Sequence, residues 1–259
     1  MSVTLQITKS NVAVLVLSRP EKRNAFNSDV IHELIQCIEH ANTLDIRALV
    51  LKTEGKHFSA GADLAWMKSM ADNNYNDNLA DSMQLAKLMQ VLAQSPHPTI
   101  CAVQGAAFGG ALGLIACCDI ALSKDDAQFC LSEVKLGLIP AVISPFCISK
   151  IGESHARAWF LSGERFSADQ AMRMGLVHEV VSLDDFEKRS EELIKSHLLA
   201  APKAAGLAKK LIKENINLEP SLLEQYTCEA IAKQRISEEG QEGMKALLNK
   251  SKPSWVKND

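Results

Sequence analysis

The sequence predicts an α/β fold built from a coiled succession of ββα units, followed by a helical C-terminal region. Three observations carry this expectation. β-Branched runs alternate with amphipathic helical stretches, the alternation shows no self-similarity at a fixed period, and strand-like runs stop near residue 183. The chain therefore divides into a core over residues 1–182 and a helical region over residues 183–259. With 259 residues it is long enough for one large core with an appendage.

The elements follow in order. "VTLQITK" and "NVAVLVLS", separated by the turn-like "SN", form a hairpin ending at Pro20. In "SDVIHELIQCIEHAN", Ile31, Leu34, Ile35 and Ile38 recur at helical spacing behind Asn27 or Ser28 as cap. "IRALVLKTEG" gives a buried strand leading into "KHFSAGADL", where Gly61 supplies a turn and Asp63 caps a helix from Leu64. Trp66, Met67 and Met70 form that helix's apolar face, and the polar "DNNYNDN" of residues 72–78 reads as a loop. "PHPTICAVQG" is a strand that breaks over Gly105 to Gly110, before the apolar helix "ALGLIACC" and the strand "DIALS". "AQFCLSEVKLGLIP" is a further strand followed by a turn carrying Glu133. Ser167 caps a short helix closed by Gly175. Beyond 183 the helical period is broken at Pro202 and Pro220.

Composition excludes several classes. With 47% apolar residues, 23% charged residues and a net charge of −3, there is no basic footprint for nucleic acid. The seven cysteines lack CxxC or Cys/His spacing, so they read as small core residues in a reducing compartment rather than as disulfide or zinc ligands. The N-terminus shows no signal or transit pattern, and the apolar run in "GAAFGGALGLIACCDIAL" falls short of the roughly 20 residues a spanning helix needs. The expectation is a cytoplasmic protein with no membrane or nucleic-acid partner and no metal.

No GxGxxG, GxxxxGK[ST] or GxSxG is present, and "SEVK" matches SxxK without an SDN or KTG companion. What remains is a pattern shared by "SAGAD" and "FGGALG". In each, a strand ends in small residues and a helix begins, leaving the N–H groups of Ala62 and Gly110 pointing outward. Two such donors suit a developing oxyanion. Taken singly, each loop also reads as tight strand-to-helix packing. Glu133 lies between apolar segments that can raise its pKa toward neutrality, as a general acid/base requires; the alternative is a surface glutamate paired with Lys135.

In this order and spacing, "SAGADL", "GAAFGGALGLIACCDIAL" and "AQFCLSEVKLGLIP" resemble the crotonase superfamily of acyl-CoA hydratases and isomerases, most of all bacterial 3-methylglutaconyl-CoA hydratases. The likeness runs from "SRPEKRNAFN" to "EGMKALLNKSKPSW". It implies a superhelix of ββα units, a C-terminal region making trimer contacts, and a homotrimer or dimer of trimers. It also implies an acyl-CoA thioester substrate, with CoA part of the substrate and no separate cofactor. By the same resemblance Ala62 and Gly110 donate to the thioester carbonyl. Lys22 and Ala25, with Ala60, Asp63 and Leu64, line the CoA site, and Lys250 reaches a CoA phosphate. Two-glutamate hydratases of the family carry one acid where Gly113 stands here and the other at Glu133. Glu133 alone is then expected to move the protons while water adds to a 2-enoyl-CoA, with the Ala141 amide helping to hold that water. The alternatives are a Δ3,Δ2-enoyl-CoA isomerase using Glu133 alone, a carboxygeranoyl-type CoA hydratase, and a noncatalytic acyl-CoA-binding protein.

Overall fold

The computed structural model describes residues 1–256. Its first unit is an antiparallel hairpin of β1 (Val3–Ile7) and β2 (Val12–Leu17), with Leu5 opposite Leu15. Asn27 accepts a hydrogen bond from the Val30 amide and so caps α1 (Ser28–Thr43), which buries Ile31, Leu34, Ile35 and Ile38. β3 (Ala48–Thr53) then pairs in parallel with β2. After it come α2 (Leu64–Met70), α3 (Tyr75–Ala93) and β4 (Thr99–Val103).

The chain then enters a second, smaller sheet with β5 (Ala106–Phe108). It continues through α4 (Gly110–Cys117), β6 (Ile120–Lys124) and β7 (Gln128–Cys130). α5 (Ser144–Ser162), β8 (Arg165–Ser167), α6 (Ala168–Arg173) and β9 (Glu179–Val181) complete the core. Six strands form one sheet in the order β1-β2-β3-β4-β6-β9, and β5-β7-β8 form a three-stranded sheet beside it. Apart from the β1–β2 hairpin the large sheet is parallel, and β4 is buried along its whole length as a strand covered on both faces must be. α4 is buried from Ala111 to Cys117, which explains its lack of charge.

The structure departs from the sequence expectations in four places. Residues 75–78 are the first turn of α3, because the Asn74 side chain accepts from the Asn76 and Asp77 amides; the polar run is a cap rather than a loop. α5 was not anticipated over residues 144–162, where it bends at Gly152 (φ +73°). The break over residues 105–110 contains the three-residue strand β5. On α2 none of Trp66, Met67 and Met70 is fully buried, and only Trp66 packs against the core.

Four helices form the C-terminal region: α7 (Phe186–His197), α8 (Pro202–Asn217), α9 (Pro220–Ile236) and α10 (Glu238–Leu248). The breaks fall at Pro202 and Pro220 as expected, and at Ser237, which caps α10. α8 attaches to the N-terminal ends of β4 and β6. Lys209 Nζ lies 2.8 Å from the Asp119 carboxylate and donates to the His97 carbonyl, while that carboxylate also accepts from the Thr99 amide and hydroxyl. Ile212, Ile216, Ile236, Leu247 and Leu248 stay exposed. Among the described residues no helix is long and apolar enough to cross a membrane.

Within the smaller sheet, Phe129 on β7 and its register partner Phe166 on β8 stack with ring centroids 5.5 Å apart, and Trp159 of α5 is tilted against Phe166. Phe129→Ala is expected to cost about 3–5 kcal/mol. A chemical-denaturation midpoint indistinguishable from the parent's would refute this account of how the smaller sheet is packed.

Candidate active site

Residues 59–63 run between two backbones. On one side the Ser59 amide donates to the Ala106 carbonyl at 3.0 Å, and the Ser59 carbonyl accepts from the Phe108 amide at 2.9 Å. On the other, the Phe26 amide donates to the Gly61 carbonyl and the Phe26 carbonyl accepts from the Asp63 amide, both at 2.7 Å. A parallel bridge of this kind uses the peptide groups that flank Ala62 and turns Ala62's own N–H to the opposite side. Among the described residues no acceptor pairs with it. Gly61 makes the close approach possible: its φ is +87°, and a Cβ there would stand 3.0 Å from the Phe108 carbonyl oxygen.

The second amide belongs to Gly110, the first residue of α4. It has no acceptor within the helix and none elsewhere among the described residues. Gly109 turns the chain at φ +55°, and its own amide donates to the Cys130 carbonyl at 2.9 Å. β7 thereby sets the height of the helix start.

Glu133 sits on a 3-10 turn, Ser132–Leu136, and its carboxyl lies against Gly109, where an added Cβ would be 3.2 Å from Oε1. Oε2 is buried without a hydrogen-bond partner. Burial pushes the carboxyl above its ordinary value, opposed by its own backbone amide. Lys135 is exposed and its Cε lies beside Gly163; no ion pair joins it to Glu133 among the described residues.

Position 113 is closed to any side chain. A Cβ on Gly113 would collide with Ile143 and would lie 2.9 Å from the Met89 sulfur. Ile143 and Met89 are themselves buried, and Cys147 lies in the same region, its thiol pushed up to about 12 by burial and then by the Glu133 charge. Ile143 and Met89 carried no signal in the sequence, because only packing against the glycine gives them a role.

Of the other expected residues, five gather around Ala62. Lys22 ends the 3-10 turn Pro20–Lys22 and is exposed, while the buried Ala25 offers its carbonyl to Arg19 Nη1 at 2.7 Å. The Ala60 amide donates to the Arg23 carbonyl at 2.9 Å, and Leu64 is exposed. Asp63 accepts from the Ala65 amide at 2.8 Å and pairs with Arg19 at 3.4 Å. Its carboxyl is held below the ordinary range, by the Ala65 hydrogen bond first and by the Lys22 and Arg19 charges as well, against the opposing effect of burial. Arg19 was missed, though it stands in "SRPEKRN" beside the residues that were named.

One expectation needs correction. The Ala141 amide is not free to hold water, because it donates to the Ile139 carbonyl at 2.8 Å across a tight turn. Lys250 is exposed just beyond α10, which packs on α8 and α9 near the N-terminal ends of the parallel strands. Gly110 and Glu133 follow the C-terminal ends of β5 and β7 in the smaller sheet. No group of three or more His, Cys, Asp or Glu among the described residues could hold a metal. A polarised acyl oxygen and one proton-carrying carboxylate are what this arrangement can serve.

The family described as enoyl-CoA hydratase/isomerase matches residues 7–258. A short-chain-enoyl-CoA hydratase of Clostridium acetobutylicum is 30% identical over 253 residues, covering 96% of each chain. An enoyl-CoA hydratase from Shewanella pealeana has a crystal structure that is similar with a TM-score of 0.93 and 43% identity, over 98% of this chain and 96% of that one. Pseudomonas aeruginosa AtuE is similar with a TM-score of 0.95 and 31% identity, over 99% of this chain and 100% of that one.

Two outcomes test the packing and charge of the site. Gly113→Ala is expected to lower stability by about 1–3 kcal/mol, and Ile143→Ala in the same chain to recover part of the loss. A thermal-denaturation cycle in which the two losses simply add would contradict the contact. For Glu133, the folded pKa lies above the unfolded one, so raising pH through the glutamate range ionises the unfolded chain first and lowers stability. Glu133→Gln should therefore melt higher than the parent at neutral pH, with the difference closing below about pH 4.

Proposed function

The chain belongs to the enoyl-CoA hydratase/isomerase family, and from that premise we propose that it adds water reversibly across the 2,3 double bond of an enoyl-CoA thioester. One observation carries the reading: a desolvated carboxylate with an unpartnered oxygen beside two amides that have no acceptor. The Ala62 and Gly110 amides receive the thioester oxygen, which gains charge as the enolate forms, and each donor lowers the barrier by about 3 kcal/mol. Ionised Glu133 takes a proton from water as the hydroxyl bonds to C3, and returns a proton to C2. The positive end of α4 adds to the field at that oxygen. Lys22, Ala25, Ala60, Asp63 and Leu64 form the CoA side of the groove.

Filling of position 113 by Ile143 and Met89 favours a second reaction on the same site. In a Δ3,Δ2-enoyl-CoA isomerase Glu133 removes a proton from C2 and delivers it to C4, and no water needs to be held. The two reactions separate by the absorbance of the conjugated thioester: it disappears from a 2-enoyl-CoA under hydration and appears from a 3-enoyl-CoA under isomerisation. Under either, Glu133→Gln is expected to lose about 10²–10⁴-fold in kcat with KM much less affected. Turnover equal to the parent's would end both readings.

For the acyl group we take a branched or carboxylated chain of the 3-methylglutaconyl type, which the sequence likeness supports; rates on crotonyl-CoA and 3-methylglutaconyl-CoA test it. A homotrimer or dimer of trimers is supported by the exposed Ile212, Ile216, Leu247 and Leu248 of α8 and α10. Lys250, exposed beyond α10, is the lysine taken to meet a CoA phosphate.

A further inference from the structure

Asn24 lies in "EKRNAF", one residue before Ala25, and is 0% exposed. Its backbone takes a left-handed conformation (φ +54°), which asparagine tolerates better than other residues with a side chain. Its side chain is nearly saturated. Oδ1 accepts from the Arg19 amide at 2.7 Å, and Nδ2 donates to the carbonyls of Glu54 and His57, both at 2.8 Å. The 19–26 segment and the loop that follows β3 are thus joined by one buried amide.

Both of the segments it joins lead to the unpaired donors. Downstream of Asn24, Phe26 holds the peptide groups on either side of Ala62, and the Arg23 carbonyl holds the Ala60 amide. On the other side, His57 gives its carbonyl to Asn24 while its Nδ1 accepts from the Ala106 amide at 3.1 Å, at the start of the strand that runs into Gly109 and Gly110. Asn24 is therefore a point through which the two amide-bearing loops are registered on each other. It touches neither amide and has no room to touch a substrate.

We propose that Asn24 is a positioning residue that fixes the direction of the Ala62 N–H toward the acyl oxygen, and so governs polarisation of the thioester rather than its binding. The inference rests on the reading of Ala62 as a donor to that oxygen. If Nδ2 is lost, the carbonyls of Glu54 and His57 are left without this donor, and residues 23–26 keep their bonds to residues 19–22 and 60–63 but lose the side-chain tie to the loop that follows β3. A displacement of the amide by about 1 Å is enough to cost on the order of 10²-fold in rate.

The test uses the full-length protein and a chromophoric 2-enoyl-CoA ester whose absorption moves to longer wavelength when its carbonyl is polarised. Asn24→Asp keeps the size and the Arg19 contact but cannot donate, and Asn24→Gly removes the hydrogen bonds while accepting the positive φ without strain. Either variant that folds suffices. Measured well below its melting temperature, each should bind the ester with little change in Kd, lose at least half of the spectral shift, and fall about 10- to 100-fold in kcat. A variant that melts lower yet keeps the full shift and the parent kcat would make Asn24 a purely structural residue and overturn the proposal. A parent protein that binds the ester with no shift would instead remove the donor reading itself.

Discussion

The site depends on the grip that backbone exerts on residues 59–63 from both sides. The Phe26 bridge satisfies the peptide groups next to Ala62 and thereby leaves the Ala62 N–H unpaired by geometry, not by omission, while the Ser59 bridge ties the start of the segment to β5. A polar group left unpaired in an apolar interior costs on the order of 1–3 kcal/mol. Here that cost is deferred. Ala62 is exposed and Gly110 half-buried, so water can serve both amides, and in the proposed reaction a thioester oxygen would take its place. The donors are fixed in advance by bonds of the strand type, which is the condition under which such dipoles stabilise developing charge without reorganising.

The same economy governs the acid. Glu133 is brought against Gly109 by a 3-10 turn, and burial keeps one of its oxygens unpartnered and its pKa high. A group that both accepts and returns a proton, as proposed for Glu133, works best with a pKa near the working pH, so the desolvation that weakens the fold at this point would suit that chemistry. On the far side, the place of a second acid is sealed. An empty cavity there would cost roughly 24 cal/mol for each Å³, and Ile143 and Met89 occupy the space instead. Gly113 and Ile143 are thus one feature read at two positions.

Much of this was legible in the sequence because it is written in local chemistry. Asn27, Asp63 and Ser167 cap helices through their own side chains, and Gly61 and Gly109 adopt positive φ angles where close backbone contact requires them. Glu133 stood out as a charge between apolar runs. What escaped notice is set by distant partners or by short-range bonds that residue type does not reveal. α5 was missed because its apolar face meets α4 and the Glu133 turn, contacts that leave no clean period in the sequence. "DNNYNDN" misled because asparagine serves caps and loops equally well. The Ala141 amide was expected to be free, but a bond to a carbonyl two residues back is invisible in composition. Ile143, Met89 and Asn24 have no signature at all until the fold sets them against Gly113 and the loop after β3.

The sealed wall also binds the type of reaction to the type of acyl chain. An ordered water in a protein interior commonly has two to four polar partners. Beside Glu133 it finds one carboxylate; the amide of Ala141 is committed to Ile139, and the 113 side offers a methyl-bearing isoleucine and a thioether. A second partner for that water must then come from the substrate. An acyl chain carrying a carboxylate near C3 supplies one, whereas a plain alkyl chain packs against Ile143 and leaves the water with a single hold. On the proposed function, hydration would be favoured on the first, and proton transfer between C2 and C4, which requires no water, on the second. The choice between hydratase and isomerase is in this site a question about what the substrate brings, since the protein contributes the same oxygen pocket and the same carboxylate to both.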